Sequence, residues 1–250
     1  MFLNLRFSAI ALTLSTAAMA VAHAAPVFYF GENQSAASTV SGAPTTARAS
    51  FLANLSGVSN QNFERPDFSA GDTAPLPLTF AGSGGNILAN LTGVGSISSN
   101  VGSGRFNTSS GGSQWWDVSG TFEIEFTTAA VAAFGFYGTD IGDFGGQVQV
   151  TLRDTGNVST TYTIANTVGG NPQGALLFWG FIDSSKTYNK VTFGNTAGGV
   201  DAFGFDDMVV GDARQIVAPP PSGVPEPGSL ALVGLSLAGL AAATRRKAHK

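Results

Sequence analysis

Between residues 25 and 217, apolar and polar side chains alternate in short runs separated by Gly, Asn and Ser. Alternation with a period of two sends successive side chains to opposite faces of a strand, so each run predicts a strand with one buried face. The clearest is Thr121–Thr127, where Phe122, Ile124 and Phe126 alternate with Glu123 and Glu125. Similar runs are Val131–Tyr137, Gln147–Arg153 with Val148, Val150 and Leu152 inward, Thr160–Ile164, Ala175–Ile182, Tyr188–Phe193 and Ala202–Val210. Phe28–Phe30 and Leu78–Phe80 add two more. Seven strands in about 90 residues leave little room for βαβ crossovers. The expected fold is therefore mainly all-β, an antiparallel jelly-roll-like β-sandwich. One short helix is predicted over Thr45–Leu55, with Pro44 at its first turn and Phe51, Leu52 and Leu55 on one side. The segment Ala53–Val58 is echoed by Ala89–Val94. Two six-residue copies do not make a repeat fold.

The two ends of the chain follow another pattern. Met1–Arg6 is short and positive, Phe7–Val21 is mostly apolar, and Ala22 and Ala24 place small residues before a cut that frees Ala25. Residues 1–24 therefore read as a signal peptide for signal peptidase, with a cut after Ala20 as the second choice. At the other end, residues 218–224 form a Pro-rich, extended spacer. Gly228–Thr244 is then an uncharged helix-forming stretch whose length, about 25 Å, falls just short of a hydrocarbon core of about 30 Å. It predicts a C-terminal transmembrane helix. Arg245, Arg246 and Lys247 follow it as a stop-transfer cluster that stays in the cytoplasm and leaves the preceding domain outside. The domains read as signal peptide 1–24, β-sandwich ectodomain 25–217, spacer 218–224 and C-terminal signal 225–250.

Charge sharpens this division. Residues 25–224 hold seven Lys and Arg against fifteen Asp and Glu, a net of −8, whereas Arg245, Arg246, Lys247 and Lys250 make a basic tail. An acidic domain without a basic stripe repels phosphate backbones, so no nucleic-acid partner is expected. The chain has no Cys, and its two His lie at 23 and 249. Residues 25–217 thus lack the side chains for Ser-His-Asp or Cys-His catalysis and for imidazole or thiolate metal sites. No disulfide can staple the exported fold.

What remains is oxygen chemistry and aromatic surface. Asp140 and Asp143 flank a turn at Gly142 directly after a predicted strand, and Asp206–Asp207 is an acidic pair within another. Such carboxylates suit Ca²⁺, so a structural Ca²⁺ held by Asp140, Asp143, Asp206 and Asp207 is the cofactor to look for. Neighbours on a strand point to opposite faces, so Asp206 and Asp207 share a site only if a bulge intervenes. A carboxylate-pair glycosidase would draw on Glu64, Glu123, Glu125, Asp140 and Asp143. Glu123 and Glu125 also fit a solvated strand face. For sugar binding, the candidate platforms are Trp115, Trp116 and Tyr137. On one strand Trp115 and Trp116 face opposite ways, which would put one in the core and expose the other.

The sequence Val224-Pro225-Glu226-Pro227, a short apolar helix and an Arg-rich end resembles the PEP-CTERM sorting signal of exported bacterial proteins. The resemblance implies transient anchoring in the inner membrane and cleavage near Pro225-Glu226-Pro227 by an exosortase-type transpeptidase. It further implies delivery to the surface or extracellular matrix of a Gram-negative bacterium that makes exopolysaccharide. The segments Phe134–Asp143, Phe178–Asp183 and Phe203–Met208, with Phe51 and Asn62-Phe63-Glu64, look like the ectodomain common among such surface proteins. That likeness implies a β-sandwich without an assigned activity. The expected function is non-catalytic: a surface-anchored protein of the envelope or exopolysaccharide matrix, acting in carbohydrate- or matrix-associated adhesion. The alternatives are a structural surface coat without a specific ligand and, less favoured, the glycosidase.

Overall fold

A computed structural model describes residues 25–100, 102–169, 174–197 and 201–217. Residues Ala22 and Ala24, the spacer, Val224–Pro227, the expected transmembrane helix and Arg245, Arg246 and Lys247 lie outside the described residues. Ala25 is described and exposed. Among the described residues, no helix is long and apolar enough to cross a membrane.

In chain order the elements are β1 (Val27–Asn33), α1 (Ala43–Leu52), β2 (Asn60–Gln61), β3 (Leu76–Phe80), β4 (Ile87–Gly93), β5 (Ser96–Ser98) and β6 (Trp115–Val118). There follow β7 (Phe122–Phe126), β8 (Ala133–Thr139), β9 (Val148–Asp154), β10 (Ser159–Thr163), β11 (Leu176–Ile182), β12 (Tyr188–Asn195) and β13 (Phe203–Gly211). They form two antiparallel sheets. The first runs β1-β11-β8-β13-β6-β5, with β2 beside β13, and the second runs β10-β9-β12-β7-β4-β3. The fold is mostly β with one helix, as the alternation predicts, and every predicted run contains a strand.

The main core fills the space between the sheets, where Phe122 stacks on Phe193 at 4.4 Å and Phe136 and Phe205 pack around them. Burying each such ring contributes roughly 1.5–3 kcal/mol. The second sheet keeps a solvated outer face: β7 reads buried at Phe122, Ile124 and Phe126 and half-buried at Glu123 and Glu125.

The first sheet departs from that scheme. Every residue of β8, β11 and β13 is buried, on both faces. The outer face is covered by a second apolar cluster that includes Phe51 from α1, Phe106 from the loop before β6, Tyr137 and Phe178. The helix is seated by glycine. Gly135 and Gly180 face each other across β8 and β11, and a Cβ on either would come within about 3.2 Å of the Phe51 ring. The absence of both side chains leaves a slot that Phe51 fills.

The helix spans Ala43–Leu52, shorter at its C-terminal end than the predicted Thr45–Leu55. Asn54 and Leu55 donate to Phe51 and Leu52 carbonyls in a tightened last turn, and Leu55 then bridges to Ile216. The sequence echo has no structural counterpart: Ala53–Val58 is this turn, while Ala89–Val94 lies largely in β4.

Candidate functional site

The structure corrects the expected sugar platform. Trp115, Trp116 and Tyr137 are 1%, 0% and 4% exposed. The two indoles do face opposite ways, but both faces of the first sheet are covered. Trp116 enters the main core beside Phe63, at 6.2 Å, while Trp115 turns to the other side, near Gly204. Tyr137 lies against Phe178 and under the Arg48 guanidinium. None offers a flat ring to a ligand.

The acidic pair of β13 is also corrected. A register shift between Asp206 and Val209 marks a bulge, and Asp207 adopts φ +49°. The bulge brings both carboxylates to one place, the 108–109 loop. Asp206 Oδ2 accepts from the Thr108 amide (2.7 Å), the Thr108 hydroxyl (3.0 Å) and the Ser109 amide (3.2 Å), and its Oδ1 accepts from the Asp207 amide. Asp207 accepts from Ser109 Oγ, Thr108 Oγ1 and Asn60 Nδ2. All four oxygens are engaged, so Asp206 and Asp207 anchor the loop that covers the first sheet and leave the expected cation set. Burial, then the adjacent Asp207 charge, pushes the Asp206 carboxyl up to about 8, against the pull of the Thr108 and Asp207 amides.

Asp140 and Asp143 gain a partner that sequence reading missed, Asp201. Asp140 closes β8 in a left-handed conformation, φ +61°, and Asp143 follows the Gly142 turn. Asp140 is 2% and Asp201 1% exposed. Asp140 Oδ2 faces Arg105 at 3.5 Å, but Arg105 binds Asp117 more closely, at 3.0 Å. Burial, then the Asp143 charge, raises Asp140 to about 6; burial, then contact with the Asp143 carboxyl, raises Asp201 to about 7. Asp140 Oδ1, Asp143 Oδ1 and both oxygens of Asp201 are buried without a well-formed hydrogen bond, and the backbone amides of Gly174 and Gly142 offset only part of the burial cost at Asp140 and Asp201. Among the described residues, no group of three or more His, Cys, Asp or Glu side chains is placed to hold a metal ion. Asp201 carried no motif, because 60 residues separate it from the Asp140 turn and only the fold joins them.

The three glutamates considered for hydrolysis are engaged elsewhere. Glu64 Oε1 accepts from the Ser113 and Gln114 amides. On the outer face of the second sheet, Lys190 binds Glu123 at 2.6 Å and Arg153 binds Glu125 at 3.2 Å.

Besides Phe144 in the turn after β8, aromatic surface is exposed at an edge. Phe28 and Phe30, two apart on the edge strand β1, are 42% and 41% exposed, while Tyr29 turns the other way onto Phe51. Phe28 meets Tyr162 of β10, the edge strand of the other sheet, at 4.8 Å. The open side of the sandwich is thus faced with rings. A groove of about 490 Å³ runs along it, walled by Phe28, Tyr29 and Phe30 and by Ala43, Thr46, Ala47 and Ser50 of α1. Next to Tyr162, a pocket of about 210 Å³ holds Thr160, Asp154 and Lys186. The signal was Phe28-Tyr29-Phe30 itself, since three consecutive aromatics cannot all face one core.

Residues 223–247, beyond this domain, match the family model described as the PEP-CTERM protein-sorting motif. The chain carries a PEP-CTERM sorting signal. It is therefore an exported protein that pairs a PEP-CTERM segment with a β-sandwich. A search of curated proteins finds no match. Solved structures similar to it include a family 29 carbohydrate-binding module, at 13% identity and TM-score 0.31 over 52% of this chain and 99% of that one. Another is the family 22 xylan-binding domain from Paenibacillus barcinonensis, at 10% identity and TM-score 0.35 over 64% and 94%. A third, solved with β-1,4-galactotriose, has 15% identity and TM-score 0.28 over 49% and 86%.

Proposed function

We propose that this exported protein is a non-catalytic module of the bacterial surface or exopolysaccharide matrix, and that it adheres to polysaccharide through the aromatic edge of its sandwich. The observation that carries the reading is the exposed row Phe28 and Phe30, with Tyr162 beside it and Thr46 and Ser50 hydroxyls across the groove. Aromatic rings pack on the C–H faces of sugar rings, and neighbouring hydroxyls exchange hydrogen bonds with sugar hydroxyls. An open groove suits a polymer that runs through it. The engagement of Glu64, Glu123 and Glu125 in amide and ion-pair contacts supports a non-catalytic role. In this reading the chain is anchored transiently in the inner membrane by the segment ending at Arg245, Arg246 and Lys247. An exosortase-type transpeptidase then cuts near Pro225-Glu226-Pro227 and delivers the domain to the surface or matrix of a Gram-negative cell.

The test is co-sedimentation of the purified chain with the producing organism's own exopolysaccharide. Saturable binding is expected, weakened about tenfold or more in a Phe28→Ala/Phe30→Ala variant that melts normally, equivalent to about 1.4 kcal/mol or more. Binding untouched by that variant would refute the site. A second reading, a structural coat protein without a specific ligand, is favoured by the burial of Trp115, Trp116 and Tyr137. Absence of saturable binding would select it.

A further inference from the structure

We propose that the chain's own Pro-rich segment, residues 218–222, docks in the groove between the free edge of β1 and α1 and covers the aromatic row of Phe28 and Phe30. The docking stands without the polysaccharide reading, whereas its consequence for ligand binding rests on that reading.

The described chain ends heading toward this groove. Val217 donates its amide to the Asn54 carbonyl, Ser56 donates to Gln215, and Leu55 bridges Ile216 in the antiparallel sense. Residues 215–217 therefore run against 54–56, toward the C-terminal end of α1. β1 and α1 are also antiparallel: Gly31 abuts Ala43 at the start of the helix, whereas Val27 shares a cavity with Asn54 and Val217 just beyond its end. That cavity and the groove have Tyr29 as a common wall. The chain leaving Val217 is thus aimed at the mouth of the groove.

Segment and groove match in length, charge and backbone chemistry. The helix walls the groove from Ala43 to Ser50, about 10 Å at 1.5 Å per residue. Ala218-Pro219-Pro220-Pro221 spans about 12 Å as an extended polyproline stretch. Residues 218–225 carry no charge, and neither does any residue that walls the groove. Proline rings pack on exposed aromatic rings, and a polyproline stretch is already extended, so docking costs it little chain entropy. Among the described residues β1 pairs with β11 alone, so every second residue of β1 turns its backbone N–H and C=O toward the free edge. Carbonyls of the segment can accept from those amides. Proline offers no N–H in return, which caps the edge without creating a template for another strand. Because the segment is tethered at Val217, its effective concentration at the groove is on the order of millimolar, and a weak contact suffices.

The consequence is competition. A polysaccharide reaches Phe28 and Phe30 only as the segment leaves the groove.

The test compares the full chain, purified in mild detergent, with a Pro219→Gly/Pro220→Gly/Pro221→Gly variant by amide hydrogen exchange. The free-edge amides of β1 should exchange at least about fivefold slower in the unmodified chain, while the β1 amides bonded to β11 exchange alike in both. Co-sedimentation should then show the variant binding exopolysaccharide more tightly by a similar factor, since the groove is open in a larger fraction of molecules. Equal exchange at the free edge would overturn the docking. Protection that vanishes on dilution would also overturn it and assign the groove to a second copy of the chain. Slowed exchange in a chain that binds no polysaccharide would uphold the docking and remove the polysaccharide reading alone.

Discussion

Truncating Phe51 to alanine tests whether α1 is held to the sheet as a plug in a glycine slot. The ring is fully buried, lies 5.6 Å from both Tyr29 and Phe178, and fills the space above Gly135 and Gly180. A Phe→Ala change at such a site costs about 3–5 kcal/mol, from lost transfer energy and the cavity left behind. Alanine's better helix propensity returns at most about 0.7 kcal/mol, so a net loss of about 3 kcal/mol is expected. The slot makes a second, sharper prediction. In the intact protein a methyl at Gly135 would stand 2.9 Å from Phe178 Cζ and 3.1 Å from Phe51 Cε1, so Gly135→Ala overpacks the site. Overpacking of this kind costs about 1–3 kcal/mol. With Phe51 already reduced to alanine, the new methyl and the Phe178 ring both have room. The double variant should therefore be more stable than the sum of the single effects by at least about 1 kcal/mol. Urea unfolding followed by fluorescence of the buried tryptophans measures all four corners of the cycle. Additive losses, or a Phe51→Ala cost below about 1 kcal/mol, would refute the seating of the helix. Because α1 forms one wall of the Phe28–Phe30 groove, the same variant should also weaken polysaccharide binding.

Two other expectations concern charge. Asp206 holds its proton up to about pH 8 in the folded chain, while an unfolded aspartate loses it near 4. Between those values the native state binds the extra proton, so its contribution to stability is present below about pH 4 and is lost as pH rises through about 8. Urea midpoints should fall from pH 5 to pH 8 in EDTA, and Asp206→Asn should flatten much of that slope; an unchanged slope would assign it to other groups. At the C-terminus, replacing Arg245, Arg246 and Lys247 with neutral residues should lower cell-surface display, read by accessibility to an added protease. Undiminished display would remove their stop-transfer role.

The local signals determined much of this protein. Alternation in 121–127 and 147–153 specified strands and their inward residues, because the two-residue period of a strand is local. The C-terminal sorting signal was equally legible, since it is a contiguous motif. The strand over Ile87–Gly93 went unread, because Leu88 beside Ile87 breaks the apolar–polar alternation that Ile87, Ala89 and Leu91 would otherwise show. The tertiary structure alone decided what covers each strand face. Trp115 and Trp116 obey the alternation, and yet neither is exposed, because α1 and the 102–114 loop close the outer face of the first sheet. The bulge that turns Asp206 and Asp207 toward one loop depends on pairing with β8, and the meeting of Asp201 with Asp143 depends on strand order. A strand's pattern records that one side is buried, whereas the burial of the other side, and the company a carboxylate keeps, come from chain segments far away in sequence.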